Sequence, residues 1–237
     1  MDNLPYSKSE SWKMFDKISG RYDLLNRLLS FGLDIGWRKK IVSFLPPKND
    51  LTILDLATGT GDVLLYLFEQ TKSIKIAYGI DLSEKMLLIG QEKIKTRKLE
   101  AQIILKNGDI NQIPFEENYF DAATIAFGIR NVVNPKQVLS EMLRVLKPGG
   151  RAIILEFAIP ENALVRPIFT FYLRKILPAV GALISGNLKA YKYLNQTVET
   201  FMYGEEFCQA MGACGFLNVR AHPLTFQTAM IYTGEKP

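Results

Sequence analysis

The chain has 237 residues, which suits one α/β domain with a sizeable core, and its 48% hydrophobic and 22% charged content excludes disordered and collagen-like chains. The formal net charge is +5, but residues 1–40 carry eight Lys and Arg against five Asp and Glu, and 163–200 carry five against one, whereas the rest is slightly acidic. This distribution favours a basic surface patch facing phosphate or anionic lipid over a uniformly basic nucleic-acid binder.

The two cysteines, Cys208 and Cys214, have no second pair that would complete a zinc site, so we expect reduced thiols and no metal. The first residues, MDNLPYSKSESWKMF, lack the apolar core of a signal peptide. We therefore expect a cytoplasmic protein.

The first predicted element is a helical cap at residues 1–47. Apolar side chains recur every three or four residues from residue 10, at Trp12, Phe15, Ile18, Tyr22, Leu25, Leu28 and Leu29. The pair Pro46 and Pro47 ends the helical segment.

From residue 51 the chain alternates between strand and helix patterns. The predicted strands are LTILDL, IKIAYGID, AQIILKNGD, FDAATIAFG and RAIILEF, and the predicted helices are VLLYLFEQ, SEKMLLIGQEKIKTR and NPKQVLSEMLRVL. This alternation indicates βαβ units, and hence a mainly parallel sheet with helices on both faces. Ligands bind such sheets at the carboxyl ends of the strands, where the candidate site residues below lie.

The segment at about 160–200 breaks this alternation. It is long and apolar, but Arg166, Pro167, Arg174, Lys175, Pro178 and Gly181 interrupt it, which is not expected of a membrane-spanning helix. We predict an insertion of amphipathic helices that covers the site or lies on a bilayer surface. The helix FCQAMGACGF follows, and the strands NVRAHPLT and TAMIYTGEK then extend the edge of the sheet. Residues 1–237 are therefore predicted to form one domain.

The loop in ILDLATGTGD, residues 53–62, indicates the ligand. A nucleoside-triphosphate loop needs a Gly-Lys-Ser/Thr sequence, and this loop has no lysine. A dinucleotide loop needs a third glycine where Leu64 or Leu65 stands, and Asp62 would face its phosphates. S-adenosylmethionine remains: its sulfonium and ammonium are cations that suit carboxylates such as Asp55, and Gly59 and Gly61 allow close approach of the backbone.

Two further carboxylates follow successive strands. Asp81 ends the second predicted strand and could accept from both ribose hydroxyls, and Asp109 ends the third and could meet the adenine amino group. The alternative is that each carboxylate caps a helix. For Asp62, helix capping and contact with the methionine ammonium remain equally open.

These loops resemble those of class I S-adenosylmethionine-dependent methyltransferases. The stretches YDLLNRLLSFGLDIGWRK, FGIRNV, RVLKPGGRAIILEF and YKYLNQTVETF narrow the resemblance to the ubiquinone/menaquinone biosynthesis C-methyltransferases, nearly end to end. The chain departs from that family's pattern at Asp34, Ala158, Met202 and Gln227. The resemblance implies a Rossmann-like, seven-stranded fold and methyl transfer to a ring carbon of a prenylated quinol. The donor-binding residues expected are Asp55, Gly59, Thr60, Gly61, Asp81, Asp109, Ile110 and Ala126.

On the acceptor side, Arg130 ends the fourth predicted strand beside Asn131, and we expect both in the catalytic site. A guanidinium there could lower the quinol pKa and bind the oxyanion, or Arg130 could pair with a strand-end carboxylate for stability alone. Tyr22 is a further candidate for the acceptor wall. The one histidine, His222, lies in the late edge segment and is a weak candidate for the base.

We expect a membrane-dissolved prenylated quinol as acceptor, favouring demethylmenaquinol over 2-methoxy-6-polyprenyl-1,4-benzoquinol, with contact at an anionic membrane surface. Another lipid or small phenol, and a donor-binding module without activity, remain alternatives. A nucleic-acid acceptor is disfavoured, because the predicted core is acidic and neither an Asn/Asp-Pro-Pro-Tyr motif nor a strand-end cysteine is present. The sequence leaves open whether the chain forms a homodimer.

Overall fold

A computed structural model of the protein describes residues 7–185 and 188–237. Residues 1–6 of the predicted cap and 186–187 of the predicted insertion lie outside the described residues. The cap is two helices, α1 (Ser11–Leu29) and α2 (Leu33–Lys40), followed by a short 3-10 turn. The helical segment breaks between them, where Phe31 and Gly32 take φ angles of 54° and 76° that only glycine adopts freely.

Seven strands form one sheet in the order β3-β2-β1-β4-β5-β7-β6. Their bounds are β1 Leu51–Leu56, β2 Ile74–Asp81, β3 Ile103–Asn107, β4 Phe120–Ala126, β5 Leu146–Phe157, β6 Leu217–Leu224 and β7 Ala229–Glu235. The first five run parallel, and β7 inserts antiparallel between β5 and β6. The predicted class is confirmed, and the strand order reverses between β1 and β4, the position where such sheets bind ligands.

Helices cover both faces of the sheet. They are α3 Asp62–Gln70, α4 Glu84–Thr96, α5 Pro135–Val145 and α9 Glu205–Ala213. The predicted N-cap of α5 is confirmed, since the Asn134 side chain accepts a hydrogen bond from the Gln137 amide. Ser83 caps α4 in the same way, through the Met86 amide. Two apolar clusters, one on each face, form the core.

The segment predicted as an insertion contains three helices and one π-helical turn within the described residues. It consists of α6 (Val165–Phe171), a π-helical turn, α7 (Leu177–Ser185) and α8 (Leu188–Thr200). A third apolar cluster joins it to α1 through Met14, Leu25, Leu173 and Leu177, among others. No helix within the described residues is both long and apolar enough to cross a membrane. Through the third cluster the cap and the insertion pack together, and both line cavities at the carboxyl ends of the strands.

Candidate active site

The loop after β1 is bent by left-handed backbone conformations at Ala57, Gly59 and Gly61, with φ angles of 49°, 56° and 76°. Such angles cost a non-glycine residue free energy and concentrate at functional sites. Asp55, which precedes the loop, is buried and accepts hydrogen bonds from the hydroxyls of Thr58 (2.6 Å) and Thr124 (2.5 Å). Burial raises the pKa of Asp55 to about 6.

Asp81 fixes this loop to the end of β2. One carboxylate oxygen accepts from the Gly59 amide and the other from the Ser83 amide, each at 2.8 Å. Burial raises the pKa of Asp81, although these amide bonds favour its charged form. Asp109, after β3, accepts from the backbone and side chain of Asn111.

A cavity of about 320 Å³, here called the donor cavity, lies over these strand ends. Its lining includes residues predicted for both sides of the site. Those predicted for the acceptor side are Tyr22 and Asn131, and those predicted for the donor side are Gly59, Asp81, Asp109, Ile110 and Ala126. Its roof comes from α1 and the turn before it, through Lys8, Ser9, Ser11, Trp12 and Phe15. Sequence patterns did not predict these roof residues as part of the site.

Three predicted donor residues, Asp55, Thr60 and Gly61, do not line that cavity. Asp55 and Thr60 line a small neighbouring cavity of about 30 Å³, whereas Gly61 is the N-cap of α3. The Thr60 hydroxyl donates to Asp23 at 2.8 Å and accepts from the Lys93 ammonium at 2.9 Å. Thr60 thus joins the loop to α1 and α4.

Asp62 forms ion pairs with Lys93 (2.6 Å) and Arg27 (3.3 Å). Lys93 also pairs with Asp23 at 2.6 Å. These pairs tie α3, α4 and α1 together, so the Asp62 carboxylate is engaged by cations of the chain itself. Sequence patterns give no sign of Lys93 and Asp23, because their proximity depends on how α1 packs against α4.

A second cavity, here called the acceptor cavity, lies between the cap and the insertion and has a volume of about 540 Å³. Its lining is mostly apolar and comes from α1, α2, α6, α7, α8 and the 3-10 turn at Thr225–Gln227. Phe15, Tyr22 and Phe127 line both cavities, so the two spaces meet at a shared aromatic wall. Burial raises the pKa of Tyr22, which keeps its hydroxyl protonated near neutral pH.

Arg130 lines the acceptor cavity and is also ion-paired with a strand-end carboxylate, whereas its role toward the quinol stays a prediction. Its Nη1 donates to Glu156 Oε1 and to the Phe127 carbonyl oxygen, both at 2.6 Å. Asn131 Nδ2 donates to the same carbonyl at 3.3 Å. Phe127 has a φ of 58°, and these bonds hold that conformation.

Two buried polar atoms at this junction have no hydrogen-bond partner within the described residues: Arg130 Nε, a donor, and Asn131 Oδ1, an acceptor. Buried polar groups are nearly always satisfied, so such atoms indicate where a ligand binds. Arg130 Nε can donate a hydrogen bond to an anionic oxygen and belongs to a residue that lines the acceptor cavity. Asn131 Oδ1 can accept a hydrogen bond from a cationic or hydroxyl group and belongs to a residue that lines the donor cavity. Both fit methyl transfer from S-adenosylmethionine.

His222 lies outside both cavities: its ring stacks on Phe44 at 4.5 Å and its Nε2 contacts the Thr233 hydroxyl at 3.1 Å. Cys208 and Cys214 are free thiols and line neither cavity. Across the described ranges, no group of three or more His, Cys, Asp and Glu side chains is arranged to hold a metal ion.

The model of the ubiE/COQ5 methyltransferase family matches residues 6–236. A ubiquinone/menaquinone biosynthesis C-methyltransferase of Geobacter sulfurreducens is 47% identical, covering 94% of this chain and 87% of that protein. A demethylmenaquinone methyltransferase of Thermus thermophilus is 44% identical, covering 94% of this chain and all of that protein. Among solved structures, an S-adenosylmethionine-dependent methyltransferase of Thermotoga maritima, described as a possible histamine N-methyltransferase, superposes with a TM-score of 0.67 at 19% identity, covering 95% of this chain and 100% of that one.

Proposed function

The chain belongs to the ubiE/COQ5 methyltransferase family, and we propose that it transfers a methyl group from S-adenosylmethionine to a ring carbon of demethylmenaquinol. The observation that carries this proposal is the shared wall of Phe15, Tyr22 and Phe127, where a cavity lined by two carboxylates meets a larger, mostly apolar one. A donor and an apolar acceptor bound in the two cavities would meet there, which removes most of the entropic barrier to a two-substrate reaction.

We assign the donor to the smaller cavity. In this assignment Asp81 accepts hydrogen bonds from the ribose hydroxyls and Asp109 accepts one from the adenine amino group, and both carboxylates line the cavity. The only cationic side chain on the described lining is Lys8, at the roof, because Lys93 contacts the glycine-rich loop from outside this cavity. This charge pattern supports a cationic ligand there.

We assign the quinol ring to the inner end of the acceptor cavity and its prenyl tail to the apolar channel between α1 and the insertion. S-adenosylmethionine supplies an electrophilic methyl group. Arg130 binds the quinol oxygen next to the reacting carbon through its free Nε, which stabilises the negative charge that forms there. Glu156 and the Phe127 carbonyl fix the guanidinium, so no reorganisation is needed during the reaction.

The head group is tested by offering the purified protein demethylmenaquinol and 2-methoxy-6-polyprenyl-1,4-benzoquinol separately, each with methyl-labelled donor. We expect labelled product from demethylmenaquinol, with a higher kcat/KM than from the benzoquinol. Labelling of neither quinol, but of another phenol or of RNA, would contradict the proposal.

Asp55 should make donor affinity depend on pH. Burial raises its pKa to about 6 in the free protein, and a cationic donor nearby favours the charged form and lowers that pKa. Binding then releases a proton below about pH 6, so affinity should rise with pH up to that value and level off above it. Calorimetry at pH 5, 6 and 8 in buffers of different ionisation enthalpy measures this release, and Asp55→Asn should reduce it. Any release that remains is assigned to Asp81, because burial also raises the pKa of that carboxyl group. Equal proton release at all three pH values would contradict the assignment.

We further propose that the mouth of the acceptor cavity binds an anionic membrane surface, from which the quinol enters. Phe31, Ile168, Phe171 and Phe226 line this cavity and yet are 61–78% exposed, an unusual state for large apolar side chains. Leu164 and the basic residues Arg166 and Lys175 are exposed on the same insertion. Aromatic side chains with flanking cations are typical of proteins that bind a lipid interface.

Liposome flotation tests this surface. The wild type should float with vesicles rich in phosphatidylglycerol at low salt and dissociate at high salt, because lipid charges are screened. The triple variant Phe31→Ser, Phe171→Ser, Phe226→Ser should not float, whereas Leu88→Ser, which changes an equally exposed residue on α4, should float like the wild type. Absence of salt-sensitive flotation of the wild type would refute the proposal.

A further inference from the structure

The acceptor cavity contains a carboxylate that the mechanism above does not use. Asp34, on α2, is only 4% exposed, and it is the one Asp or Glu among the described residues that line this cavity. A carboxylate on an apolar wall is costly to bury unless it is paired and hydrogen-bonded, so the partners of Asp34 decide what it can do at the substrate side.

Two groups of the chain hold this carboxylate. The Arg38 guanidinium donates through Nη1 to Asp34 Oδ2, and the Ser30 hydroxyl donates to Oδ1 at 2.7 Å. An ionised carboxylate has about four acceptor positions, so these two bonds leave room for a further hydrogen bond. Arg38 also lies 5.1 Å from the centre of the Phe127 ring. The pair therefore sits beside the wall where the donor and acceptor cavities meet.

Two arginines and two tyrosines on this cavity cannot take a proton from a quinol at neutral pH. Guanidinium groups have no acceptor. Burial raises the pKa of Tyr172 to about 12 and raises that of Tyr22, so their hydroxyls stay protonated. Among the described residues that line the cavity, the ionisable side chains other than Asp34 are Tyr22, Arg38, Arg130, Tyr172 and Tyr191.

We propose that Asp34 is the general base that removes the hydroxyl proton of the acceptor, and this rests on the proposed function, in which the acceptor is a quinol. The quinol O–H bond breaks and its proton passes to a carboxylate oxygen of Asp34, which leaves a phenolate. The electron pair of the phenolate forms the bond from the ring carbon to the methyl group, and the methyl–sulfur bond breaks with its electrons remaining on sulfur. The ring carbon then loses its hydrogen to solvent as a proton, and Asp34 returns its own proton to the oxygen. One proton is released for each methyl group transferred.

Arg38 completes this arrangement. While Asp34 is ionised, its charge is balanced by Arg38; once Asp34 is protonated, the positive charge of Arg38 faces the new phenolate instead. During the proton transfer, one negative charge thus stays beside Arg38, first on Asp34 and then on the phenolate. This count leaves out the separate ion pair of Arg130 and Glu156. Asp34 and Arg38 act here as a unit, and Ser30 orients the carboxylate.

The test is the pH–rate profile of Asp34→Asn with demethylmenaquinol, measured anaerobically between pH 6.5 and 9. At pH 7 we expect kcat to fall by about 10²- to 10⁴-fold, the usual effect of losing a general base. The loss should shrink about tenfold per pH unit as the quinol ionises by itself. Asp34→Glu, which keeps a carboxylate, should retain more activity than Asp34→Asn at pH 7, while donor affinity stays near wild type in both.

Two further variants guard against an effect on folding. In the double variant Asp34→Asn, Arg38→Met, no charge of the pair is left unbalanced, and it should show the same rise of rate with pH. Asp121→Asn removes another buried, ion-paired carboxylate, which is bound to Lys48 and Lys147 outside both cavities, and should leave the profile unchanged. If Asp34→Asn reduces the rate by a constant factor at every pH, or does not reduce it, the inference is wrong. Failure of the wild type to methylate any quinol would instead refute the proposed function.

Discussion

Replacing Arg130 by methionine is expected to lower turnover by about 10²- to 10³-fold while donor affinity stays near that of the wild type. The reason is the loss of the Nε donor that we assign to the developing phenolate, an effect of the size found when one such donor is removed. Steady-state rates with labelled donor and calorimetric titration of S-adenosylmethionine measure the two quantities separately. Equal loss of turnover and donor affinity would contradict the role of Arg130 on the acceptor side.

The same substitution should also destabilise the protein, because it leaves Glu156 buried without its partner. Burial raises the pKa of Glu156 even with Arg130 present, and removing one partner of a buried ion pair costs about 3–5 kcal/mol. The double variant Arg130→Met, Glu156→Gln should recover most of the stability in chemical denaturation but none of the turnover. Recovery of turnover together with stability would show that Arg130 acts only through folding.

The second large effect is expected for Asp81→Ala, which should weaken donor binding by about 10²- to 10⁴-fold when the hydrogen bonds from both ribose hydroxyls are lost. Each hydrogen bond from a ribose hydroxyl to a carboxylate contributes about 1.5–3 kcal/mol, and the substitution also frees the Gly59 amide that holds the loop. Calorimetry measures the affinity, and Asp121→Asn is the matched control because that carboxylate lies outside the donor cavity. Unchanged binding by Asp81→Ala would remove Asp81 from the ribose site.

The amino-acid sequence predicts the sheet and much of the donor side, because both depend on local patterns. Buried strands are continuous apolar runs, so the residues that follow them, such as Asp81 and Asp109, can be placed at one edge of the sheet from the strand pattern alone. The family predicted from FGIRN and the neighbouring motifs is confirmed by the match over residues 6–236. The individual roles assigned to the site residues remain predictions.

The features that sequence patterns do not predict depend on packing between distant segments. The pairing of Arg130 with Glu156 spans 26 residues, and that of Asp23 with Lys93 brings α1 onto α4. Neither has a periodic signal in the sequence. The helical cap is predicted, but its role as the roof of the donor cavity is not, because helical periodicity shows which face is buried and not what it covers. Asp34 stands out in the sequence only as a departure from a family pattern.

The central claim, that the two cavities bring the donor methyl to a ring carbon of a quinol, is tested most directly by transfer from ¹³C-methyl S-adenosylmethionine to demethylmenaquinol. Carbon NMR of the isolated product distinguishes a methyl group bonded to the ring from one bonded to oxygen. We predict that the label appears as a ring methyl in the wild type and that Arg130→Met yields almost none of this product. A methoxy product, or a quinol without the label, would contradict the assignment of the donor and acceptor cavities.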